Sequence, residues 1–558
     1  MGRNSLLTSV SNKKYYFYGA AGGIHREPGG KIESAADKRS YVSLIPMIKR
    51  TRLLLLLFIL GFIETFPIGF LGIMPADQSM IFEAAGRIAN GEVLFRDFSI
   101  SHGMIPVYIQ ALFFKIFGLK WWVYVLQAAI FNGLFVILAY KMLDYFHPGK
   151  RKWNIFISIF SGWLFYPIVG TPYPENHSFF FGLLSVFMIL LALKGKKGWL
   201  YLAFPCFLLS FLSKPIPAVF FILPIAVLVF YHPELVSKKS WIKLLIGLVL
   251  GLLPFIGFLL TVNLKSFFYY YYRLPSSMGY GRISQGFFFQ ILKKMAKGFP
   301  ISIAFAGVLS LVHLGMNLKN LRDKVNELVF LSLGFVAVGL IFSLLTFNQI
   351  QNSFGILFIG YGLLIPALID YYGSSLKLDK KNIFIVAILL LTLGLDCARS
   401  LSYNLRRIYN DMDFSFSSLK NYSKDLGFFF QAPVDSQINF QINFSDIDQL
   451  IKFLKTENQP FCYFGDLTIL NPLLKNKSPF PIVTFDYGLT LPNKGTEEFS
   501  RFRENLQRSI IKNKAKYLII ENEVTWMGAN VYDFFDQQDI QQMPRQYFGK
   551  IAVVTLNR

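Results

Sequence analysis

"PMIKRTRLLLLLFILGF", Pro46 to Phe62, sets Lys49, Arg50 and Arg52 directly against an unbroken apolar run. A basic flank followed by such a run is the pattern of a signal anchor, and the apolar stretch continues to Met74 without a small-residue cleavage pattern. A run of that length spans the hydrocarbon core of a bilayer as a helix, so 53–74 is read as a retained first span. Outward from it the chain keeps the same character. Of its 558 residues 53% are hydrophobic, 17% aromatic and 16% charged, a balance that excludes an ordinary soluble protein of this size. The formal net charge of +23 would also suit a nucleic-acid binder. Lys and Arg cluster, however, in short loops between apolar runs, where they orient helices in a membrane. Cys206, Cys397 and Cys462 have no CxxC or ligand-like spacing and imply neither a disulfide framework nor a zinc site. Residues 1–50 mix Gly, Ser and basic residues without apolar periodicity and read as a disordered cytosolic extension.

Apolar runs near span length recur at 121–143, 154–171, 177–193, 199–213, 215–231, 242–262, 299–316, 327–346, 354–372 and 382–397. The expected fold is therefore mainly α, a polytopic transmembrane helix bundle of about 11 spans over 51–397. With the amino terminus cytosolic, the basic loops holding Lys150 to Lys152, Lys194 to Lys197, Lys238 to Lys243, Lys319 to Lys324 and Lys377 to Lys381 all fall inside. "TPYPENH" and "FNQIQNS", on the opposite side, contain no Lys or Arg. The outer segment 263–298 breaks this rule, with Arg273, Arg282, Lys293, Lys294 and Lys297 among aromatics. It suits an interfacial aromatic belt with snorkelling cations, or a surface for an anionic head group.

After residue 397 the composition turns polar, and 398–558 is expected to form an extracytoplasmic α/β domain. In "SDIDQLIKFLKTEN", Ile447, Leu450, Ile451 and Leu454 mark one helical face, with Ser445 as candidate cap. A second stripe joins Phe499, Phe502, Leu506 and Ile510. "PFCYFGD", "FPIVTFDYG" and "AKYLIIENEV" read as short strands.

Carboxylates beside a bilayer are costly, which directs attention to the first outer loop, 75–120. Asp77 opens it, ahead of "SMIFEAAGRIANGE", whose Met80, Ile81, Ala84, Ala85 and Ile88 suit a helix lying at the interface. From spacing alone Asp77 is a helix cap before it is a catalyst. Asp97 in "FRDFS" suits an ordinary turn, Glu175 in "PYPENH" a capping residue, and Glu64 a buried pairing with another helix.

The order Asp77, a short amphipathic helix, Gly91, "FRDF", His102-Gly103, Pro106 and "YIQALFFKIFG" resembles the first outer loop of the C-type superfamily of polyprenyl-phosphate-dependent membrane glycosyltransferases. That superfamily includes protein O-mannosyltransferases and bacterial transferases that modify lipid A and lipopolysaccharide cores. "YPENHSFFFGLLSVFMILLAL" is similar to its acidic outer turn leading into a helix, and "FLLSFLSKPIPAVFFILPIAVLV" to its Lys-Pro turn. Where many relatives carry an Asp-Glu pair this chain has Asp77-Gln78, so the resemblance points to the reaction more firmly than to the acceptor.

The resemblance implies Asp77 as general base, with Asp97 orienting the acceptor or the loop. It also implies Lys214 with Arg273 or Arg282 on the donor phosphate, and Glu175 and His102 on the same outer face as substrate-binding residues. The implied reaction moves a sugar from a polyprenyl-phosphate donor to a glycan, lipid or protein acceptor at the outer face of the cytoplasmic membrane, with inversion. A lipid phosphate is already a good leaving group, so one carboxylate and one or two cations suffice and no cofactor is expected. His102 and His177 share that face, but without an HxxxH or DxD arrangement no metal site is assigned. A transporter or flippase, with polar sites near the midplane, and a glycan ligase or polymerase using a lipid diphosphate are the rival readings.

Overall fold

The first apolar run forms helix α1, Thr51–Phe70. The computed structural model describes residues 51–277, 299–375 and 444–556, apart from 71–74, 167–169, 318–319, 347–349 and 526–527; positions 293, 388, 391–396, 398–399, 422–423 and 426–429 are described separately. The 1–50 extension and most of the 382–397 run lie outside these residues. Past α1 come α2 (Pro75–Ala89), α3 (Met104–Phe117), α4 (Trp121–Phe146), α5 (Arg151–Trp163), α6 (Pro174–Leu193) and α7 (Leu200–Ser213). Then follow α8 (Pro215–Tyr231), α9 (Lys238–Leu259), α10 (Leu264–Phe268), α11 (Ile301–Met316), α12 (Lys324–Thr346) and α13 (Phe354–Ser375).

Among the described residues six helices are long and apolar enough to cross a bilayer: α1, α4, α6, α9, α12 and α13 over Phe354–Tyr371. Four more of the expected spans are shorter helices, α5, α7, α8 and α11. Helix α9 lies at the bundle edge, with Trp241, Leu245, Val249, Leu253 and Ile256 exposed where lipid would cover them. Its inner face is the Gly247-x-x-x-Gly251 pair. A β-carbon at Gly247 would stand 2.6 Å from the Tyr201 carbonyl oxygen of α7, and one at Gly251 3.2 Å from Pro205 Cα, so small residues let two backbones touch.

Among the described residues the basic connections gather at one end of the bundle. Lys150 pairs with Asp370 at 2.7 Å, Lys194 lies over the Tyr145 ring, and His232 meets Glu327 at 2.9 Å. The opposite end carries the first turn of α6, the end of α7 and α2, which packs on α3.

The C-terminal region contributes α14 (Phe444–Glu457), α15 (Leu470–Leu473), α16 (Glu497–Lys512) and α17 (Gln537–Gln542), with strands β1 (Phe461–Phe464), β2 (Tyr517–Ile520), β3 (Arg545–Phe548) and β4 (Ile551–Thr555). The sheet order is β1-β2-β4-β3, with β1 and β2 parallel and the other pairs antiparallel. Strands β1, β2 and β4 are buried, nearly continuous apolar runs because both faces are covered, whereas the edge strand β3 leaves Gln546 and Tyr547 exposed. Cys462, Phe464, Leu518, Ile520 and Val554 pack with the α16 stripe of Phe499, Phe502, Leu506 and Ile510. Phe461, Tyr463, Ile519 and Val553 face the other way. They join the α14 stripe of Ile447, Leu450, Ile451 and Leu454, and the same core runs on into Ile81, Phe82, Ala85 and Phe114 of α2 and α3. The sheet and the outer loop thus share one core.

Two readings of this region are corrected. "FPIVTFDYG" is not a strand: its residues make only isolated bridges, Ser99 with Ile482, Asp486 with Gly528 and Tyr487 with Leu491, because the segment is threaded between the first outer loop and the 520s. Ser445 lies inside α14 rather than capping it. The hairpin of β3 and β4, unassigned from sequence, completes the sheet around Gly549.

Candidate functional site at the loop-bearing end of the bundle

Helix α7 stops at Ser213 because Pro215 follows, and a residue before proline is driven out of the helical region. Lys214 is accordingly extended, at φ −159° and ψ 118°, and its side chain leaves the helix axis at the rim of the bundle. Its Nζ lies 3.3 Å from Glu175 Oε2 and 5.5 Å from the centre of the Phe342 ring on α12. Glu175 belongs to the first turn of α6, where the macrodipole favours an anion, and is buried. Ser178, one turn further, donates to the Lys214 carbonyl at 3.0 Å and fixes the turn from below.

The first outer loop closes over this pair. The Gly103 amide donates to the Ser213 carbonyl at 3.0 Å. Gly103 has φ +83°, and a β-carbon there would sit 3.0 Å from Pro174 Cγ, so the position requires glycine on both counts. His102, its neighbour, is half-buried with Nδ1 2.7 Å from Ser101 Oγ. Burial and, after it, the Lys214 ammonium lower its pKa to about 3, so the imidazole is neutral at physiological pH.

Helix α2 enters from the other side. Gln78 Nε2 donates to Thr171 Oγ1 at 2.9 Å, and the Tyr124 hydroxyl donates to the Gln78 carbonyl at 3.0 Å. Thr171 lies four residues before Glu175, so the first turn of α2, which carries Asp77, is anchored on the segment that leads into α6. The Asp77 side chain itself lies outside the described residues.

The sequence-selected residues divide accordingly. Lys214, Glu175 and His102 come together, and Asp77 is carried on the element docked beside them. Asp97 serves a local turn: its Oδ2 accepts from the Val93 amide at 2.7 Å and pairs with Arg96 at 2.9 Å, and the Arg96 hydrogen bond holds its pKa below the usual carboxylate value. That turn keeps Phe95 at φ +62°, buried edge-on against Phe267 and Tyr271. Arg273 is exposed and lies beside the Tyr269 ring at the end of a π-turn, Tyr269–Arg273. The same turn is tied to the Lys214 break through the Tyr271 hydroxyl, which donates to the Leu212 carbonyl at 2.5 Å. Arg282 lies outside the described residues. His177 is buried between Gln127, Tyr166 and the Tyr173 carbonyl, at 2.9 Å each, as a packing histidine. Glu64 approaches Asn132 of α4 at 3.5 Å. Among the described residues no three of His, Cys, Asp and Glu come together as metal ligands.

Sequence reasoning missed Gln78, Thr171 and Phe342. Their roles arise from contacts between segments tens of residues apart, for which local spacing carries no signal.

Two solved structures resemble the chain in outline. ArnT from Cupriavidus metallidurans bound to undecaprenyl phosphate aligns over 90% of this chain and 98% of its own, with 11% identity and a TM-score of 0.47. The apo form aligns over 93% and 98%, with 13% identity and a TM-score of 0.46. No protein-family model and no curated protein matches the chain.

Proposed function

We propose that this protein is a membrane glycosyltransferase that moves a sugar from a polyprenyl-phosphate donor to a glycan, lipid or protein acceptor at the outer face of the cytoplasmic membrane. The carrying observation is the half-buried Lys214 ammonium, held by Glu175 at the rim of the bundle under the loop that follows Asp77. A cation in that position meets a lipid phosphate whose chain lies in the bilayer and whose sugar reaches the outer loop.

In this reading the acceptor oxygen attacks the anomeric carbon as the bond from that carbon to the phosphate oxygen breaks, with inversion. The acceptor proton passes to the Asp77 carboxylate, and the electron pair of the broken bond leaves with the phosphate. Lys214 offsets the charge that develops there, and Arg273 is assigned as a second cation for the donor phosphate. Before the donor arrives Glu175 keeps the ammonium in place. Neutral His102 offers a hydrogen bond without competing for the phosphate charge.

The test incubates the purified protein in lipid with labelled polyprenyl-phosphate sugars and candidate acceptors, comparing wild type with Asp77→Asn. Transfer by the wild type and its loss in the variant are expected. Equal turnover by Asp77→Asn would remove Asp77 from the mechanism, whereas substrate-dependent flux with no transfer from any carrier would make the chain a transporter.

A further inference from the structure

In an open α/β sheet the loops at the carboxyl ends of the strands form the crevice in which a ligand ordinarily binds. Here that edge rests on α2. The loop after β1 is drawn tight by Glu521, the residue after β2, whose Oε2 accepts from the Tyr463 hydroxyl at 2.7 Å and from the Asp466 and Leu467 amides at 2.8 and 2.9 Å. Immediately beyond, Asn471 Nδ2 donates to Glu83 Oε1 of α2 at 3.2 Å. Pro472 packs so closely on Gly86 that a β-carbon there would approach to 2.5 Å. Arg87, one turn after Glu83, donates from Nη1 to the Phe480 carbonyl at 2.9 Å, pairs with Glu92 at 2.7 Å, stands 3.7 Å from Glu83 and covers the Phe98 ring. The Ser99 amide adds a bond to the Pro481 carbonyl at 2.8 Å.

Glu83 and Arg87 are 1% and 4% exposed, and their polar partners come from the C-terminal region as well as from the outer loop. Such a cluster is a poor source of net stability. Helix α2 is a single rod from its first turn, with Asp77 and the Gln78 to Thr171 anchor, to Arg87. A clamp at one end therefore sets the position of the other.

We propose that Glu83 and Arg87 are positioning residues: by clamping the carboxyl edge of the C-terminal sheet onto α2, they set the placement of the turn that carries Asp77. This rests on the transferase reading with Asp77 as base. The C-terminal sheet then acts as a brace for the membrane-side chemistry, held on α2 through the segment that follows β1.

Full-length protein in lipid nanodiscs tests this with Arg87→Met, Arg87→Lys, Glu83→Gln and, as a control, Arg508→Ala on the exposed face of α16. Arg87→Met should lower kcat about 10- to 100-fold, the cost of a misplacement on the order of 1 Å, while leaving the donor KM within about twofold. It should also raise hydrogen exchange of the amides at 79–82, well away from the substitution. Arg87→Lys, which keeps the charge but not the fork that serves Glu92 and Phe480 together, should recover part of the kcat. Glu83→Gln should fall between it and wild type, and Arg508→Ala should match wild type. Unchanged kcat despite faster exchange in Arg87→Met would overturn the proposal and leave the transferase reading intact. If Arg87→Met does not fold, Arg87→Lys and Glu83→Gln decide by the same two readouts. A wild type that transfers nothing would end the transferase reading, and unchanged exchange at 79–82 in Arg87→Met would separately end the clamp.

Discussion

Lys214 takes its place from the proline after it, and its meaning from Glu175, which lies 39 residues away in sequence and 3.3 Å away in space. The helix break was legible in "SKPIP", and both residues were selectable, Lys214 through the family resemblance and Glu175 through its outer turn. Their pairing was not, because it depends on how α6 and α7 pack. Removing Lys214 alone strands a buried carboxylate at a cost of about 3–5 kcal/mol. Lys214→Met is therefore expected to lose both folded protein and transfer, whereas Lys214→Met with Glu175→Gln should regain folded yield while kcat remains about 10²- to 10³-fold below wild type. Thermal unfolding and single-turnover transfer measured on the same preparations check this. Recovery of activity in the double variant would remove Lys214 from the phosphate site.

Among the elements, α9 shows how far composition reaches. Its length and apolarity were enough to assign a span, but they do not say which side meets protein. Contact with α7 selects the Gly247 and Gly251 face and leaves Leu245, Val249 and Leu253 outward. Gly247→Leu should weaken the α7–α9 packing by about 1–3 kcal/mol, since the added side chain meets a backbone carbonyl rather than a movable side chain. Gly257→Leu, on the same helix with open space around its β-carbon, should be neutral. Unfolding midpoints in detergent compare them, and equal loss in both would point to helix propensity or lipid contact instead. The same limit explains "FPIVTFDYG": its apolar run promised a strand, but neighbouring segments offer only single bridges and no ladder.

For the whole molecule, the contact between the sheet edge and α2 carries a titration. Burial, opposed by Arg87 and by the hydrogen bond from Asn471 and reinforced by Glu92, raises the Glu83 pKa to about 7 from its ordinary 4.5. The folded state therefore holds a proton that the unfolded state has released between those values. This contribution to stability is fully present below about pH 4.5 and is lost as pH rises through about 7, at no more than about 1.4 kcal/mol per pH unit. Burial and Asp466 shift Glu521 in the same direction. Unfolding midpoints between pH 5 and 7.5 should fall with rising pH in wild type and less steeply in Glu83→Gln. An unchanged slope in that variant would show that Glu83 does not titrate in this window.

Spanning runs, their basic flanks and the two amphipathic stripes of the C-terminal helices were decided by the sequence, because hydrophobic length and a 3.6-residue period are local properties that burial obeys wherever it occurs. The gathering of the basic loops at one end of the bundle follows from that same alternation. Only the tertiary structure brought Lys214 to Glu175, seated Gln78 on Thr171 and laid the sheet edge over Glu83 and Arg87. Those contacts join distant segments through side chains whose local spacing is unremarkable, and the free energy that selects them resides in how the helices and the sheet pack together.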